Sequence, residues 1–245
     1  MSRQKLSPAD NKYTRGVVAV CAGSKKYPGA ALLAVGGARR GNAGYVKFVS
    51  NDEALISQVI AKYPDVVPVS TLIDERVDSL VVGPGGSNLR SIPDIPLVLD
   101  GAAISKLKEL KKRKSITVIT PHEGELKHLG VKIQGTGIES SRREISVKIA
   151  REFGVILVLK GAGTIITDGD QVFVDRIGGP ELATAGTGDI LAGLIASTLV
   201  SIKDGRDAFG LVCDAVSLHS KAGRQAAKKF TSVTAVEVLE ELRNV

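Results

Sequence analysis

The chain has 245 residues, of which 43% are hydrophobic, and this is enough to bury a substantial core. Its formal net charge of +7 favours anionic ligands, but aromatic residues make up only 4% of the chain and do not interleave with the basic run 106–114, so nucleic-acid binding is not expected. No apolar run reaches the roughly 18 residues that cross a bilayer and no secretory signal is evident, so we expect a cytoplasmic protein without a membrane partner.

Short apolar runs alternate with helical patterns along the chain, which predicts strands and crossover helices of a mainly parallel sheet. The predicted strands are residues 16–22, 45–49, 80–83, 96–100, 116–120, 155–160, 164–168 and 171–175, and the predicted helices are residues 29–39, 52–62, 104–111, 141–153, 189–199, 205–228 and 234–243. The last two strands, joined by Gly169 and Asp170, are predicted to form an antiparallel hairpin. Cys21 and Cys213 lie in apolar segments and are expected to be reduced core thiols. The length favours one domain, residues 1–245.

Unusual residues follow several of the predicted strands. In open α/β sheets, ligands bind beyond the carboxyl ends of the strands. The residues at these ends are Gly83 to Gly86, Asp100, the segment 120–125 with His122, and Lys160 followed by Gly161, Ala162, Gly163 and Thr164. Each of them alone has an ordinary interpretation as a turn or a surface residue. Their convergence on one edge of the sheet predicts a ligand site.

A glycine-rich turn leads into an apolar helical pattern at residues 181–193, ELATAGTGDILAG. Gly186 and Gly188 allow the backbone to turn tightly, so that free N–H groups at the start of the helix would bind a phosphate. Asp189 is unusual there, because a phosphate repels a carboxylate unless that carboxylate takes a proton from an attacking hydroxyl or holds a metal. The pattern predicts phosphoryl chemistry with Asp189 as the base, with helix capping by Asp189 as the alternative.

The spacing of other residues argues against several common sites. The chain has no P-loop motif, and Asn88 replaces the last glycine of the dinucleotide-binding motif that Gly83 and Gly85 would begin. His122 and His128 are not spaced to lie on one helical face as zinc ligands, and neither Ser24 nor Ser87 has the neighbours of a nucleophile. A structural metal and hydrolase chemistry are therefore not expected.

Together, these motifs resemble those of the ADP- or ATP-dependent NAD(P)H-hydrate dehydratases, which belong to the ribokinase-like superfamily. The resemblance covers nearly the whole chain and rests on segments 22–24 (AGS), 28–31 (PGAA), 83–85 (GPG), 99–100 (LD), 120–125 (TPHEGE), 160–164 (KGAGT) and 185–189 (AGTGD). The last segment alone implies only the superfamily, whereas PGA, TPH and KG point to the dehydratases. The implied fold is α/β, a three-layer α/β/α sandwich with a mainly parallel central sheet.

The resemblance implies a repair reaction. The (S)-hydrate of NADH or NADPH would lose water while ADP is converted to AMP and phosphate, or ATP to ADP and phosphate. Asp189 would deprotonate the ring hydroxyl, and N–H groups of Gly186 to Gly188 would stabilise the transferred phosphoryl group. The implied nucleotide contacts are Lys160, Gly161, Ala162, Gly163, Thr164 and Gly188, and the implied contacts to the hydrated coenzyme are Ala30, Gly85, Asp100, His122 and Asp189. Mg²⁺ is expected to bridge the phosphates, with its ligands unassigned.

Some segments depart from the family pattern, and the chemistry leaves alternatives open. The loop 178–181, GGPE, differs from the sequence common in the family, and Gly101 and Glu123 stand where many members have Asp and Pro. The resemblance also implies a symmetric homo-oligomer and a separate epimerase acting on the same coenzyme. Two other hypotheses are a small-molecule kinase of the same superfamily, acting on a sugar, pyridoxal-like or thiazole-like alcohol, and a nucleotide-binding protein without catalysis.

Overall fold

A mostly parallel sheet lies at the centre of the computed structural model, which describes residues 6–87, 89, 91–110, 113–131, 139–204 and 207–245. Its nine strands in these ranges are β1 Val17–Cys21, β2 Tyr45–Val49, β3 Val67–Val69, β4 Ser79–Val82, β5 Leu97–Leu99, β6 Thr117–Ile119, β7 Ile156–Leu159, β8 Thr164–Thr167 and β9 Val172–Asp175. They lie in the order β3-β2-β1-β4-β5-β6-β7-β8-β9. The strands from β3 to β7 are parallel, whereas β8 and β9 form the predicted antiparallel hairpin at one edge.

Helices cover both faces of the sheet. They are α1 Pro28–Ala38, α2 Glu53–Lys62, α3 Glu139–Phe153, α4 Thr187–Leu199, α5 Ala208–Lys229 and α6 Ala235–Glu241, with 3₁₀ helices at Gly101–Glu109, Glu123–Leu129, Pro180–Leu182 and Val200–Asp204. Alternate strand residues enter two separate apolar cores: Val18 and Val20 pack with α1, α4 and α5, and Ala19 and Cys21 pack with α3 and the first two 3₁₀ helices. The predicted three-layer α/β/α fold is thus confirmed. No helix in the described ranges combines the length and apolar character needed to span a membrane.

Several predicted elements differ from the structure. Strand β3 was not predicted because it is short, exposed and contains Pro68, which is rare within strands. The helix predicted at 104–111 is a 3₁₀ helix and runs from Gly101 to Glu109. The helix predicted from residue 205 begins at Ala208. Asp207 caps it, because its carboxylate accepts a hydrogen bond from the N–H of Gly210. The other ends coincide with the predicted ones or shift by one or two residues, and Cys21 and Cys213 are buried thiols outside any disulfide, as predicted.

Parts of some predictions lie outside the described residues. These are residues 1–5 of the predicted domain, Asn88, residues 111–112 of the basic run and of the helix predicted at 104–111, and residues 205–206 at the start of the helix predicted at 205–228.

Glycines let the backbones of α1 and α4 pack directly against each other. A methyl group on Gly37 would lie 2.1 Å from the carbonyl oxygen of Ile190, and one on Gly193 would lie 2.0 Å from the carbonyl oxygen of Ala34. Ile190 follows Asp189 in the chain. The close contact therefore fixes the first turn of α4, which carries Asp189, against α1.

Replacing Gly37 by Ala is expected to lower the free energy of unfolding by about 2–3 kcal/mol, because backbone atoms must move to accept the methyl group. Gly29→Ala is the matched control, since it lies in the same helix and a methyl group there would have no neighbour within 4 Å. Urea unfolding of both variants measures the difference. Equal stability of the two variants would contradict this account of the α1–α4 contact.

Candidate active site

The carboxyl ends of neighbouring strands bring together the side chains that the sequence singled out. Asp100 follows β5, Thr120 follows β6 and Lys160 follows β7. Asp100 is 4% exposed, and its Oδ1 accepts hydrogen bonds from Thr120 Oγ1 at 2.7 Å and from Lys160 Nζ at 2.9 Å. The predicted convergence of these strand ends is therefore found in the structure, with Asp100 at its centre.

Lys160 is the cation of this cluster. Its Nζ lies 2.9 Å from Asp100 Oδ1 and 3.6 Å from Glu125 Oε2. Burial alone would lower the pKa of Lys160, but the carboxylates of Asp100, Glu125 and Asp189 raise it, so the ammonium group stays charged. A methyl group on Gly188 would lie 3.2 Å from Nζ, which places the ammonium group directly beside the first turn of α4.

The turn before α4 exposes backbone N–H groups. Gly186 is the residue before the helix, with φ of +96° and no side-chain cap, and a methyl group there would lie 2.3 Å from Leu33 Cδ1. The Thr187 hydroxyl donates to the carbonyl oxygens of Leu182 at 2.8 Å and Thr184 at 3.0 Å, which holds the turn in place. Because the first N–H groups of a helix have no partner within it, this end of α4 can bind an anion.

Asp189 is the third residue of α4, and its carboxyl group has an altered acidity. The pKa of Asp189 is raised from 3.8 to about 7, chiefly by burial, while the charge of Asp100 and that of Glu125 add to the rise and the charge of Lys160 opposes it. The interpretation of Asp189 as a helix cap is wrong, because Gly186 occupies the capping position. Asp189 is therefore a carboxyl group that can take up and release a proton near neutral pH.

Among the residues implied to contact the hydrated coenzyme, Gly85 lies against Ala30, and His122 lies beside Lys160. Gly85 has φ of +64°, and a methyl group on it would lie 2.4 Å from Ala30 Cβ, while its carbonyl oxygen accepts a hydrogen bond from Ser24 Oγ at 2.7 Å. His122 pairs with Lys160 in a β-bridge, and its N–H donates to Glu125 Oε2 at 2.8 Å. The imidazole of His122 is 60% exposed, with Nε2 3.6 Å from the same carboxylate oxygen, so it is accessible to a ligand.

A cavity of about 570 Å³ lies beside this cluster, and every residue with an implied nucleotide contact lines it. These residues are Lys160, Gly161, Ala162, Gly163, Thr164 and Gly188. The opposite wall comes from segment 175–183 and from α5. The lining does not include Ala30, Gly85, Asp100, His122 or Asp189. Lys160 lines the cavity and also bonds to Asp100, and Gly188 lines it beside the Lys160 ammonium group. These two residues therefore border both the cavity and the carboxylate cluster.

Two residues near the cavity have no place in the sequence motifs. His219 on α5 lines the cavity, and burial lowers the pKa of its imidazole to about 4, so it is neutral at pH 7. Arg142 on α3 is 3% exposed and donates to the backbone of the loop that follows β7. The buried positions of α3 are Arg142, Ser146, Ile149 and Ala150, so an arginine on the apolar face of a helix was the signal available in the sequence.

The donor groups of the cluster limit how a metal ion could bind. Within the described ranges, no three His, Cys, Asp or Glu residues are arranged to hold a metal ion. The oxygen donors in the cluster are the carboxylates of Asp100, Glu125 and Asp189, of which Asp100 already pairs with Lys160. Mg²⁺ usually binds one or two carboxylates together with substrate phosphates, so this donor set fits a Mg²⁺ ion carried by a nucleotide better than a site made by the protein alone.

Comparison with known proteins gives consistent matches. A family model described as NAD(P)H-hydrate dehydratase matches residues 18–244. The bifunctional NAD(P)H-hydrate repair enzyme Nnr of Corynebacterium glutamicum is 33% identical over 78% of this chain and 37% of its own length. The ADP-dependent (S)-NAD(P)H-hydrate dehydratase of Bacillus subtilis is 31% identical over 85% of this chain and 80% of its own length. The chain thus spans less than half the length of the bifunctional relatives, from 37% to 49%.

Solved structures agree with these matches. The ADP/ATP-dependent NAD(P)H-hydrate dehydratase from Bacillus subtilis, co-crystallised with ATP and Mg²⁺, superposes with a TM-score of 0.86 at 26% identity, over 98% of this chain and 92% of that chain. A hydroxyethylthiazole kinase from Pyrococcus horikoshii superposes with a TM-score of 0.66 at 18% identity, over 96% of this chain and 90% of that chain. The second likeness extends to the fold alone.

Proposed function

Because this chain belongs to the NAD(P)H-hydrate dehydratase family, we propose that it restores hydrated NADH or NADPH to the normal coenzyme at the expense of an adenine nucleotide. Its substrate is the (S)-hydrate, and either ADP is converted to AMP and phosphate, or ATP to ADP and phosphate. The observation that carries this proposal is Asp189, a carboxyl group with a pKa raised to about 7 by burial, on the anion-binding first turn of α4.

In the proposed reaction, the ring hydroxyl is converted into a better leaving group. Asp189 takes the hydroxyl proton, and the oxygen attacks the terminal phosphorus of the nucleotide, whose bond to the bridging oxygen breaks. Phosphate then leaves the ring carbon with the electrons of the C–O bond. The neighbouring ring carbon loses a proton, which restores the double bond. The N–H groups of Gly186 to Gly188 stabilise the phosphoryl group during transfer.

The two substrates occupy the two sides of the cluster in this proposal. The nucleotide binds in the cavity lined by Lys160, Gly161, Ala162, Gly163, Thr164 and Gly188. The hydrated coenzyme binds at the strand ends, where Ala30, Gly85, Asp100, His122 and Asp189 contact it. Lys160 and Gly188 border both sides, which supports this arrangement of the two substrates. The phosphoryl group then crosses from one side to the other beside the Lys160 ammonium group.

Mg²⁺ and protein partners complete the proposal. Asp100 and Glu125 would be the carboxylates nearest a Mg²⁺ ion bound with the nucleotide, and such an ion would neutralise phosphate charge. A separate epimerase supplies the hydrate epimer that this site accepts, as the bifunctional relatives suggest by combining repair activities in one chain. We also propose a symmetric homo-oligomer in the cytoplasm.

The test is the absorbance of the reduced nicotinamide after the protein is mixed with hydrated NADH, Mg²⁺ and either ADP or ATP. A nucleotide-dependent rise in absorbance, with one phosphate released per coenzyme restored, is the expected result, and the more active nucleotide identifies the donor. A flat signal together with a stable phosphoester of some other alcohol would instead make the chain a small-molecule kinase. Binding of nucleotide without any turnover would support the non-catalytic hypothesis.

The activity is expected to fall as the pH drops below 7. Asp189 acts as a base only when deprotonated, and its pKa is raised to about 7, so kcat/KM should fall about tenfold per pH unit well below that value and level off above it. Rates between pH 5.5 and 9, with the fold checked by circular dichroism at each pH, provide the measurement. A constant kcat/KM across this range would exclude Asp189 as the base.

A further inference from the structure

Arg142 places its guanidinium group behind the loop that follows β7. Nη1 donates to the carbonyl oxygens of Ala162 at 2.6 Å and Gly163 at 3.1 Å. Nη2 donates to those of Lys160 at 3.3 Å and Leu159 at 3.5 Å. Arg142 is 3% exposed, so these contacts occur in the interior, where a charged donor forms strong hydrogen bonds. One buried cation thus binds four carbonyl groups of a five-residue segment.

These carbonyl contacts fix the direction of the loop N–H groups. In a trans peptide, the C=O of one residue and the N–H of the next point in opposite directions. Carbonyl groups of Lys160 and Ala162 that face Arg142 therefore turn the N–H groups of Gly161 and Gly163 away from it. Both glycines line the 570 Å³ cavity, and neither N–H has an acceptor among the described residues. Two unpaired donors are thereby presented to whatever binds in the cavity.

Glycine is needed at these two positions for conformation and space. Gly161 has φ of +142° and Gly163 has φ of +65°. A methyl group on Gly161 would lie 2.8 Å from Arg142 Nη2. The loop conformation in which the carbonyl groups face Arg142 therefore depends on glycine at these two positions and on the guanidinium group behind the loop.

Arg142 also contacts the turn that is implied to bind the hydrated coenzyme. Its Nε lies 3.0 Å from Glu123 Oε1 as an ion pair, although the N–H does not point at the oxygen well enough for a hydrogen bond. Glu123 directly follows His122, which belongs to the strand end implied to contact the hydrated coenzyme. Arg142 thus joins the backbone on the nucleotide side to the turn on the coenzyme side.

We propose that Arg142 is a positioning residue that turns the N–H groups of Gly161 and Gly163 toward the phosphate or ribose oxygens of the bound adenine nucleotide. The proposal rests on the proposed function only for the identity of the nucleotide. A lysine in its place would keep the charge but has a single donor group, which cannot reach four carbonyl oxygens at once. The loop N–H groups would then no longer be fixed in direction.

The experiment measures ADP binding to Arg142→Lys by calorimetry in the absence of coenzyme. The Kd for ADP is expected to rise about tenfold, as loss of one or two well-placed hydrogen bonds predicts, while the KM for hydrated NADH changes less than twofold. Arg151→Lys is the matched control, because Arg151 lies on the same helix with a solvent-exposed ion pair to Asp170, and its ADP affinity should be unchanged. Calorimetry detects ADP binding whether or not the chain is a dehydratase, so failure of the proposed function is distinguishable.

Two further variants separate positioning from simple stabilisation. Arg142→Ala should regain ADP affinity with millimolar methylguanidinium but not with methylammonium, since only the planar cation can bind several carbonyl groups. Glu123→Gln keeps the Arg142 side chain but weakens its anchor, and a Kd for ADP about threefold higher is expected even if Arg142→Lys does not fold. Unchanged ADP affinity in folded Arg142→Lys, equal rescue by both cations, or unchanged affinity in Glu123→Gln when Arg142→Lys cannot be measured would overturn the proposal.

Discussion

Replacing Asp189 by Asn is expected to reduce kcat by about 10²- to 10⁴-fold, the usual effect of removing a general base. The amide has nearly the same size as the carboxyl group but cannot accept the hydroxyl proton at neutral pH. The N–H groups of the α4 turn and the cavity lined by Lys160 are unchanged by the substitution. The Kd for ADP should therefore stay within about threefold of the original, because the variant lacks the base and retains the binding groups.

Steady-state rates from the nicotinamide absorbance and ADP binding by calorimetry together test this expectation. Asp170→Asn is the control, because the Asp170 side chain is 89% exposed in the β8–β9 hairpin, away from the site. The control should keep full activity. Turnover in Asp189→Asn equal to that of the control would exclude Asp189 as the base, and a complete loss of ADP binding would show that the residue serves nucleotide binding instead.

The same substitution should change how stability depends on pH. The pKa of Asp189 is raised from 3.8 to about 7 by burial, so the folded state favours the protonated form. Its contribution to stability is fully present below the unfolded pKa and is lost as the pH rises through 7. Asn cannot ionise, so thermal unfolding of Asp189→Asn should occur at a higher temperature than that of the original protein at pH 8, with a smaller difference at pH 5.

The sheet and the strand-end residues could be predicted because their signals are local. Buried parallel strands appear as short apolar runs, and the residue after each run lies at the same edge of the sheet. This rule is sufficient to predict that Asp100, His122 and Lys160 lie together. The glycine-rich turn at 186–189 could also be predicted, since tight turns at helix starts need glycine at defined positions.

Other features depend on contacts between distant segments, which the sequence does not display. The direction of the Arg142 side chain is set by carbonyl groups 17 to 21 residues away, and no motif marks it. The neutral state of His219 follows from its burial against the α4 turn. Strand β3 is defined by its parallel pairing with β2. In each case a tertiary contact decides the outcome, so local patterns could not predict it.

Replacing Lys160 by Met is expected to reduce kcat/KM by about 10²- to 10³-fold, the magnitude typical of removing a charge that stabilises a transferred group. The ammonium group lies beside Gly188, where the phosphoryl group would pass, and Met fills a similar volume without charge. Lys229→Met is the control, since Lys229 is half exposed and pairs with Glu241 at the far end of α5. This control should retain its activity, and equal losses in the two variants would mean that Lys160 has no special role.

The pH profile gives a second and more specific test of Lys160. The positive charge of Lys160 lowers the pKa of Asp189, and the negative charge of Asp100 raises it. Lys160→Met should therefore move the acidic limb of the kcat/KM profile to higher pH, whereas Asp100→Asn should move it to lower pH. The free nucleotide titrates identically with every variant, so opposite displacements can come only from a group on the protein. Displacements of the same sign, or no displacement, would show that Asp189 is not the group whose titration controls the rate. The charge balance on which the proposed mechanism depends would then be wrong.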